Sequence, residues 1–404
     1  MKTITGGVCA PKGFTANGVH CGIRKNTAKN DLSLIFSSAP ASAAAVYTTN
    51  LVKGAPLAVT KDHLKNGTAR AAICNSGNAN TCNSNGIEIA EQTCALVADA
   101  LGIEKDDVIV ASTGVIGQPL DIAPIRCGIP SLVKGLSADG SDAAAKGIMT
   151  TDTVKKETAY EFDICGKVCR IGGIAKGSGM IHPNMATMLV FITTDVSISP
   201  EMLQKALSAD VKDTFNMISV DGDTSTNDMV TVMANGLAGN ETIVCGGEAY
   251  DTFVRALNEV TVYLCRGIAA DGEGASTLLE CRVSGARDIA AAKTAAKSVV
   301  CSSLTKAAMF GADANWGRVI CALGYSGADI DPNRADIYFK SSAGCIKVCE
   351  NGAGIDFSEE KAKKILLEKE IEITIELKDG DCSATAWGCD LTYDYVRING
   401  DYRS

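Results

Sequence analysis

A threonine at the start of an apolar strand is the residue best placed for chemistry. Residues 175–195 form a glycine-rich loop that runs into an apolar strand beginning near Thr187, which follows the small residue Ala186. This arrangement suits N-terminal-nucleophile chemistry, in which the threonine hydroxyl attacks the preceding carbonyl and water resolves the resulting ester. The freed α-amine, with an ordinary pKa of about 8, can then serve as the base for its own hydroxyl. Taken alone, a threonine at the start of a strand is more often an ordinary strand residue than a nucleophile.

Few other residues offer a base or a metal site. The chain has three histidines, and no Ser-His-Asp set is evident. His182 precedes Thr187 by five residues and could act as a base, but it also reads as an ordinary loop histidine. Residues 221–228 (DGDTSTND) alternate acidic and amide oxygens like a calcium loop. They lack the glutamate of a calcium hand, so we expect a supporting loop instead.

Glycines cluster in short polar loops, where they let backbone amides approach a ligand closely. In one of these, a threonine hydroxyl and a glycine amide follow a short strand at 107–111, and both could donate to one oxygen. That pattern by itself also fits a strand-to-helix turn or a phosphate cradle. The glycine-rich loops are 75–80 (NSGNAN), 112–117 (STGVIG), 176–179 (KGSG), 221–223 (DGD) and 271–274 (DGEG).

Strand-like and helix-like segments alternate along the chain, which predicts an α/β architecture. Residues 87–101 have helical periodicity, and 160–164 and 168–171 read as a hairpin around Gly166. Residues 369–377 alternate like a half-buried strand, and 358–367 read as a helix capped by Ser358.

Composition narrows the class of protein. The net charge is −9 with a pI near 5.0, and no basic cluster suggests a nucleic-acid partner. No apolar run is long enough to span a bilayer, and the first residues lack the order of a secretory signal. We therefore expect a cytoplasmic protein without a membrane or nucleic-acid partner. The 17 cysteines are scattered singly, so we expect mostly reduced core residues. On regular strands, Cys165 with Cys169 and Cys345 with Cys349 would share a face.

Ordered motifs over essentially the whole chain resemble those of the bacterial ornithine acetyltransferase (glutamate N-acetyltransferase) family. The central signature spans 176–189 (KGSGMIHPNMATML). Further matching blocks, in family order, are 75–80, 112–117, 149–153 (MTTDT), 215–228 (FNMISVDGDTSTND), 271–275 (DGEGA), 310–318 (FGADANWGR) and 398–404 (INGDYRS).

The resemblance implies a layered N-terminal-nucleophile-like α/β sandwich with mixed sheets. It further implies self-cleavage between Ala186 and Thr187 into an α piece, 1–186, and a β piece, 187–404. These would form two α/β units that stay associated, commonly as a heterotetramer with two of each piece. By position, Thr187 matches the family nucleophile, and Thr113 with Gly114 the oxyanion site. The substrate-facing residues carried over are Thr153, Lys176, Thr187, Glu273, Asn399 and Ser404.

The implied reaction is acetyl transfer from N2-acetylornithine to glutamate, which recycles the acetyl group in arginine biosynthesis. Lys176 would hold an α-carboxylate, and Glu273 an ammonium group or a proton in transfer. The resemblance implies no cofactor, although acetyl-CoA could serve as a second acetyl donor. Two alternatives stay open: a related amidohydrolase or aminopeptidase with the same nucleophile, and a non-catalytic amino-acid-binding protein.

Overall fold

The computed structural model describes residues 1–182 and 188–401. The predictions for Ala186, Thr187 and Ser404 therefore lie outside the described residues. The strands are β1 (Lys2–Ile4), β2 (Phe14–Val19), β3 (Leu32–Tyr47), β4 (Thr68–Asn78), β5 (Val108–Val115), β6 (Lys156–Ile164), β7 (Lys167–Lys176), β8 (Leu189–Thr194), β9 (Ile218–Ser219), β10 (Met229–Ala234), β11 (Leu278–Ala286), β12 (Asp336–Ser341), β13 (Gly344–Glu350), β14 (Ala353–Gly354), β15 (Glu370–Glu376) and β16 (Cys382–Cys389).

Helices connect these strands. They are α1 (Ala55–His63), α2 (Gly86–Leu101), α3 (Ile122–Lys134), α4 (Ser141–Ile148), α5 (Pro200–Asp210), α6 (Glu248–Ala270), α7 (Ile289–Cys301), α8 (Ser303–Phe310), α9 (Trp316–Gly324), α10 (Glu359–Leu366) and α11 (Tyr393–Gly400). Short 3₁₀ turns lie at Gly7–Cys9, Leu64–Asn66, Lys105–Asp107, Phe215–Met217 and Pro332–Arg334.

The strands form two mixed sheets. The larger has nine strands in the order β1-β6-β7-β8-β10-β3-β4-β5, with β2 also paired to β3. Its β8–β10 and β4–β5 pairs are parallel, and its remaining pairs are antiparallel. The smaller has seven strands in the order β14-β13-β12-β15-β11-β16-β9. The predicted α/β class with mixed sheets is confirmed.

The middle of the larger sheet combines strands from both sides of the 186/187 bond. Strand β8 lies between β7 and β10, and β10 in turn pairs with β3. In register, Leu189 faces Lys176 on β7 and Met229 on β10. The boundary between 186 and 187 therefore does not separate two sheets.

Side-chain alternation explains the layers of the fold. On β8, Val190 and Ile192 face one core, and Leu189 and Phe191 face another, as expected for a strand buried on both sides. The first of these cores also contains apolar residues of α6 and β11, among them Leu264 and Cys281. Helix α6 thus packs between the two sheets and joins them into one body.

Local sequence signals predicted several elements correctly. The helix predicted at 87–101 is α2, and the hairpin is β6–β7, in which Ile164 pairs with Lys167. The half-buried strand is β15. The helix start is α10, where Ser358 accepts a hydrogen bond from the Lys361 amide at 3.2 Å.

Two glycine-containing segments predicted as loops are largely strand. Strand β4 continues to Asn78 and β5 to Val115, and Gly77 pairs with Gly114 across them. The ladder between parallel neighbours supplies backbone hydrogen bonds that the local sequence does not reveal.

The paired cysteines also differ from expectation. All 17 cysteines are free thiols, and eight of them are buried. Cys345 is exposed whereas Cys349 is buried, because a register shift in the β12–β13 pair turns the strand over between them. Cys165 lies in the hairpin turn. None of the helices in 1–182 or 188–401 is long and apolar enough to cross a membrane.

Candidate active site

The end of edge strand β5 forms one wall of a cavity through Thr113 and Gly114. Gly114 has a φ of +131°, and a Cβ there would lie 2.3 Å from the backbone carbonyl carbon of Gly77. No other residue fits so close to the neighbouring strand, so the glycine is required by packing. The resulting turn brings Thr113, which is 8% exposed, to the cavity wall.

Lys176 ends β7 and reaches the same wall. Its side chain is buried, and its Nζ donates to the Thr113 hydroxyl over 3.4 Å. Because Lys176 pairs with Leu189, it lies beside the entrance to β8, the strand that Thr187 precedes by two residues. A cationic group thus adjoins the predicted oxyanion site.

A buried charged cluster holds the loop that follows Lys176. Lys156 Nζ lies 2.7 Å from a carboxylate oxygen of Asp152 and 2.6 Å from one of Asp271. The Gly177 amide donates to Asp152 over 2.7 Å. Burial alone would raise the pKa of Asp152, but the Lys156 and Lys176 ammonium groups and the Gly177 amide outweigh it and hold that pKa well below its usual range. Asp152 thus stays ionised and positions the loop.

Glu273 forms the opposite wall together with the C-terminal helix. Asn399 on α11 donates from Nδ2 to Glu273 Oε2 over 2.8 Å. The Glu273 amide donates to the Ser178 carbonyl at 3.0 Å. A Cβ on Gly179 would lie 2.3 Å from the Glu273 carboxyl carbon, so this glycine leaves room for the carboxylate. The two chain segments fix the direction of the Glu273 side chain.

These walls enclose a cavity of about 270 Å³, large enough for an amino acid or its acetylated form. Five of the predicted site residues line it together. They are Thr113, Gly114, Lys176, Glu273 and Asn399, and they are joined by Thr150, Thr151, Gly179, Met180 and Ser225.

Thr153 lies elsewhere. Its hydroxyl and its amide both donate to Asp271, and its side chain lines a neighbouring cavity with Lys156 and Gly267. The structure places it behind the charged cluster and not among the residues of the 270 Å³ cavity. Its role in substrate binding stays a prediction.

The loop at 221–228 supports the site from behind. Asp221 accepts hydrogen bonds from the amides of Met180, at 2.6 Å, and Ile181, at 2.8 Å. The Asn227 side chain donates to the carbonyls of Ala79, at 2.5 Å, and Ser112, at 3.0 Å. The loop therefore ties the approach to β8 to the ends of β4 and β5.

Sequence reasoning missed the supporting role of Asp152. For Asn227 and Asp228 it predicted a supporting loop but not the individual roles of the two side chains. All three lie inside family-like blocks, which was the available signal, but their partners are distant in sequence. The Asp228 carboxyl is fully enclosed, and its Oδ2 has no hydrogen-bond partner among residues 1–182 and 188–401. Burial raises its pKa well above the usual range.

Comparison with known proteins identifies the family. The ArgJ family model matches residues 15–404. The Arginine biosynthesis bifunctional protein ArgJ of Caldanaerobacter subterraneus subsp. tengcongensis is 50% identical over 405 residues, covering 100% of both chains. The protein of the same name from Symbiobacterium thermophilum is 50% identical over 406 residues, also covering 100% of both.

A solved structure agrees with these matches. The crystal structure of Arginine biosynthesis bifunctional protein ArgJ from Bacillus halodurans is 48% identical, with a TM-score of 0.51, and covers 54% of this chain and 100% of its own. The resemblance drawn from the motifs is confirmed. The chain belongs to the ArgJ family.

Proposed function

We propose that this protein transfers an acetyl group from N2-acetylornithine to glutamate through an acetyl ester on Thr187. The observation that carries the proposal is the cavity in which Thr113, Gly114, Lys176, Glu273 and Asn399 meet beside the entrance to β8. Membership of a family whose relatives are named arginine biosynthesis bifunctional proteins supports it.

The nucleophile is made by self-cleavage. The Thr187 hydroxyl attacks the Ala186 carbonyl carbon, the peptide C–N bond breaks, and an ester links the two residues. Water then hydrolyses the ester, which leaves a carboxylate on Ala186 and a free amine and hydroxyl on Thr187. The solved relative is consistent with this cut, since it covers 54% of this chain, and residues 187–404 of the 404-residue chain make up about the same share.

The two pieces, 1–186 and 187–404, would remain together after cleavage. Strand β8 of the second piece is bonded to β7 of the first, and β10 of the second is bonded to β3 of the first. Each piece thus completes the sheet of the other. We propose that two such pairs then assemble into a heterotetramer.

In the first half-reaction, the Thr187 amine accepts the hydroxyl proton while the oxygen attacks the acetyl carbonyl. The oxyanion that forms is stabilised by the Thr113 hydroxyl and the Gly114 amide, and each such donor contributes about 3 to 4 kcal/mol in a site without water. The C–N bond of acetylornithine breaks, ornithine leaves with the proton, and an acetyl ester stays on Thr187.

In the second half-reaction, glutamate enters the vacated space. Its amine attacks the ester carbonyl, the C–O bond to Thr187 breaks, and acetylglutamate departs while Thr187 regains its proton. Glu273, held by Asn399, lies where it can bind the substrate ammonium group or relay a proton. Transfer alternates between the two substrates in a ping-pong sequence.

Lys176 contributes its charge in two ways. It can bind the α-carboxylate of either amino acid. Because its Nζ lies 3.4 Å from the Thr113 hydroxyl, its charge also adjoins the developing oxyanion, which strengthens the donors of that site.

Intact-mass analysis with labelled substrate tests the proposal. Purified protein should give two masses, for residues 1–186 and 187–404, and should convert labelled acetylornithine and glutamate into labelled acetylglutamate. Thr187→Ala should remain one chain and transfer nothing, whereas Thr187→Ser should cleave and transfer more slowly.

The products separate the alternatives. Release of free acetate without acetylglutamate would indicate a hydrolase. Full transfer by an uncut wild-type chain would contradict the proposed nucleophile. Repeating the assay with acetyl-CoA and glutamate, without acetylornithine, tests for a second acetyl donor.

A further inference from the structure

A second cavity lies on the other side of the segment that leads to the cleavage site. It measures about 510 Å³ and lies between helix α7 and the turn at 215–217. Met180 lines the first cavity and His182, two residues later, lines the second, so one short segment borders two different spaces. Nothing in the proposed reaction uses the second cavity.

Its lining is strongly basic. Lys212, Lys293 and Lys297 all border the space, and within the described part of the chain no aspartate or glutamate lines it. Asp213 pairs with Lys293 from outside the cavity lining. The three ammonium groups outnumber the nearby carboxylates, which are Asp213 beside Lys293 and Asp223, whose charge acts on His182.

Lys297 is half-buried, whereas Lys212 is exposed. The Lys297 Nζ donates to the Asn216 carbonyl over 2.6 Å, which holds the ammonium group at the cavity wall. Burial lowers the pKa of Lys297 to about 8. A nearby anion favours the charged form of an ammonium group.

His182 reports on this charge. Its Nδ1 lies 3.0 Å from the Ser219 hydroxyl and 3.6 Å from the Cys301 sulfur. Burial, and to a smaller extent the Lys297 charge, lower the pKa of His182 to about 4, while the Asp223 charge acts in the opposite direction. An anion between Lys297 and His182 would therefore raise the His182 pKa.

We propose that this cavity binds a phosphate group. A phosphate carries one or two negative charges, depending on pH, and several acceptor oxygens, which matches several ammonium donors and the hydroxyls of Thr294 and Ser298 at one wall. The ligand is either free phosphate or the phosphate of a nucleotide-like molecule, and the volume has room for part of the latter. The site goes beyond the proposed acetyl transfer and does not depend on it.

Phosphate binding in this cavity would directly affect the chain segment that precedes the proposed cleavage site. The His182 carbonyl accepts a hydrogen bond from the Thr224 hydroxyl at 2.8 Å, and the neighbouring Ile181 amide donates to Asp221. His182 is thus tied to the loop that supports the first cavity. A bound phosphate would stabilise this arrangement from the opposite side.

Histidine NMR on the full-length wild-type protein tests the site without reference to activity. Inorganic phosphate, titrated at constant ionic strength against chloride, should raise the His182 pKa by about one unit as the nearby positive charge is neutralised. The signals of His20 and His63, which lie against Asp31 and the Val108 carbonyl, serve as internal references and should not move.

Variants locate the effect. Lys297→Gln and the exposed Lys212→Gln should each weaken phosphate binding at least about tenfold, in line with the loss of a charge-assisted hydrogen bond. Lys61→Gln, which removes an exposed lysine from a different cavity, should bind phosphate like wild type. Because Lys212 is exposed, the Lys212→Gln variant should fold normally. It therefore still tests the site if the Lys297→Gln variant is unstable.

Repeating the titration with coenzyme A or adenosine phosphates in place of inorganic phosphate distinguishes a nucleotide-like ligand from free phosphate. Binding that is much tighter than that of free phosphate identifies a nucleotide-like ligand, and equal binding identifies free phosphate. The inference is overturned if the His182 pKa does not respond to phosphate, if acetate acts as well as phosphate, or if both lysine variants respond like wild type.

Discussion

Asn399 and Glu273 are 126 positions apart in the chain, yet the Asn399 amide donates to the Glu273 carboxylate over 2.8 Å. The contact places the C-terminal helix at the cavity and gives a carboxylate a fixed direction. We expect Asn399→Ala to lower kcat/KM for acetyl transfer about tenfold to a hundredfold, the range for a lost hydrogen bond to a charged group. Steady-state kinetics check this.

Stability should change little in Asn399→Ala, because α11 buries none of its residues. Arg397→Ala, on the same exposed helix and paired only with Asp394 among the contacts described, is the control and should keep its activity. If the Asn399 variant were as active as wild type, the mechanism would not require Asn399 to position Glu273.

Thr113→Val removes the proposed oxyanion donor while keeping the branched shape. We expect kcat to fall about 10²- to 10³-fold, the usual loss for one such donor. Thr113→Ser, which retains the hydroxyl, should stay within about tenfold of wild type. Assays must use cleaved protein, verified by mass. If the Thr113→Val variant kept the wild-type kcat, groups other than the Thr113 hydroxyl would stabilise the oxyanion.

Gly114→Ala introduces a Cβ only 2.3 Å from the Gly77 backbone at a φ of +131°. Strain and overpacking together should cost about 3 to 5 kcal/mol of unfolding free energy. Gly117→Ala is the matched control, since its φ is also positive, +78°, but open space surrounds it. It should cost only about 1 to 2 kcal/mol. Urea unfolding of both variants measures the difference, and equal losses would exclude the contact with Gly77.

Lys156→Met leaves the buried carboxylates of Asp152 and Asp271 without their counter-ion. We expect a loss of about 3 to 5 kcal/mol of unfolding free energy at neutral pH. Lys155→Met, the exposed neighbour paired with Asp142 and Glu157, should cost no more than about 1 kcal/mol. Denaturant unfolding of the two variants gives the comparison.

The Lys156 effect should also depend on pH. The folded-state pKa of Asp152 lies below its unfolded value, so its contribution to stability is present above the ordinary pKa of 3.8 and is lost as pH falls towards the folded-state pKa. The gap between wild type and Lys156→Met should therefore narrow in acid. A gap that is constant with pH would mean that the cluster acts through packing alone.

For Asp228 we expect the opposite dependence of stability on pH. Its folded-state pKa is raised above the ordinary value of 3.8, so the folded protein binds more protons than the unfolded chain above that pH. The contribution of Asp228 to stability consequently declines as pH rises through this window. As pH rises from the ordinary pKa of 3.8 towards neutral, Asp228→Asn should lose less stability than wild type, whereas the exposed Asp139→Asn should follow wild type. Unfolding midpoints across this range are the measurement, and parallel curves for wild type and Asp228→Asn would contradict it.

Elements with local signals could be predicted from the sequence. The hairpin turns at Gly166, and Ser358 caps α10 with its own side chain, because the residues that define these features lie within a few positions of one another. The grouping of Thr113, Lys176 and Glu273 was reached through motif resemblance, and the structure then brought the three side chains to one cavity.

Features that depend on distant partners could not be predicted in this way. Asn227 bonds to carbonyls more than a hundred positions away, and Gly77 is held in strand β4 by its neighbour β5. One extra residue in β13 reverses the side on which Cys349 points. Each depends on which segments become neighbours, and sequence spacing does not encode that choice.

The placement of β8 between β7 and β10 has a consequence for handling the protein. If the 186/187 bond is cut as proposed, refolding from denaturant becomes a reaction between two polypeptides, since neither alone supplies the centre of the larger sheet. Recovery after denaturation should then slow on dilution, as expected for a bimolecular step. The uncut precursor has no such dependence, so cleavage converts a self-sufficient folding unit into one whose recovery depends on concentration.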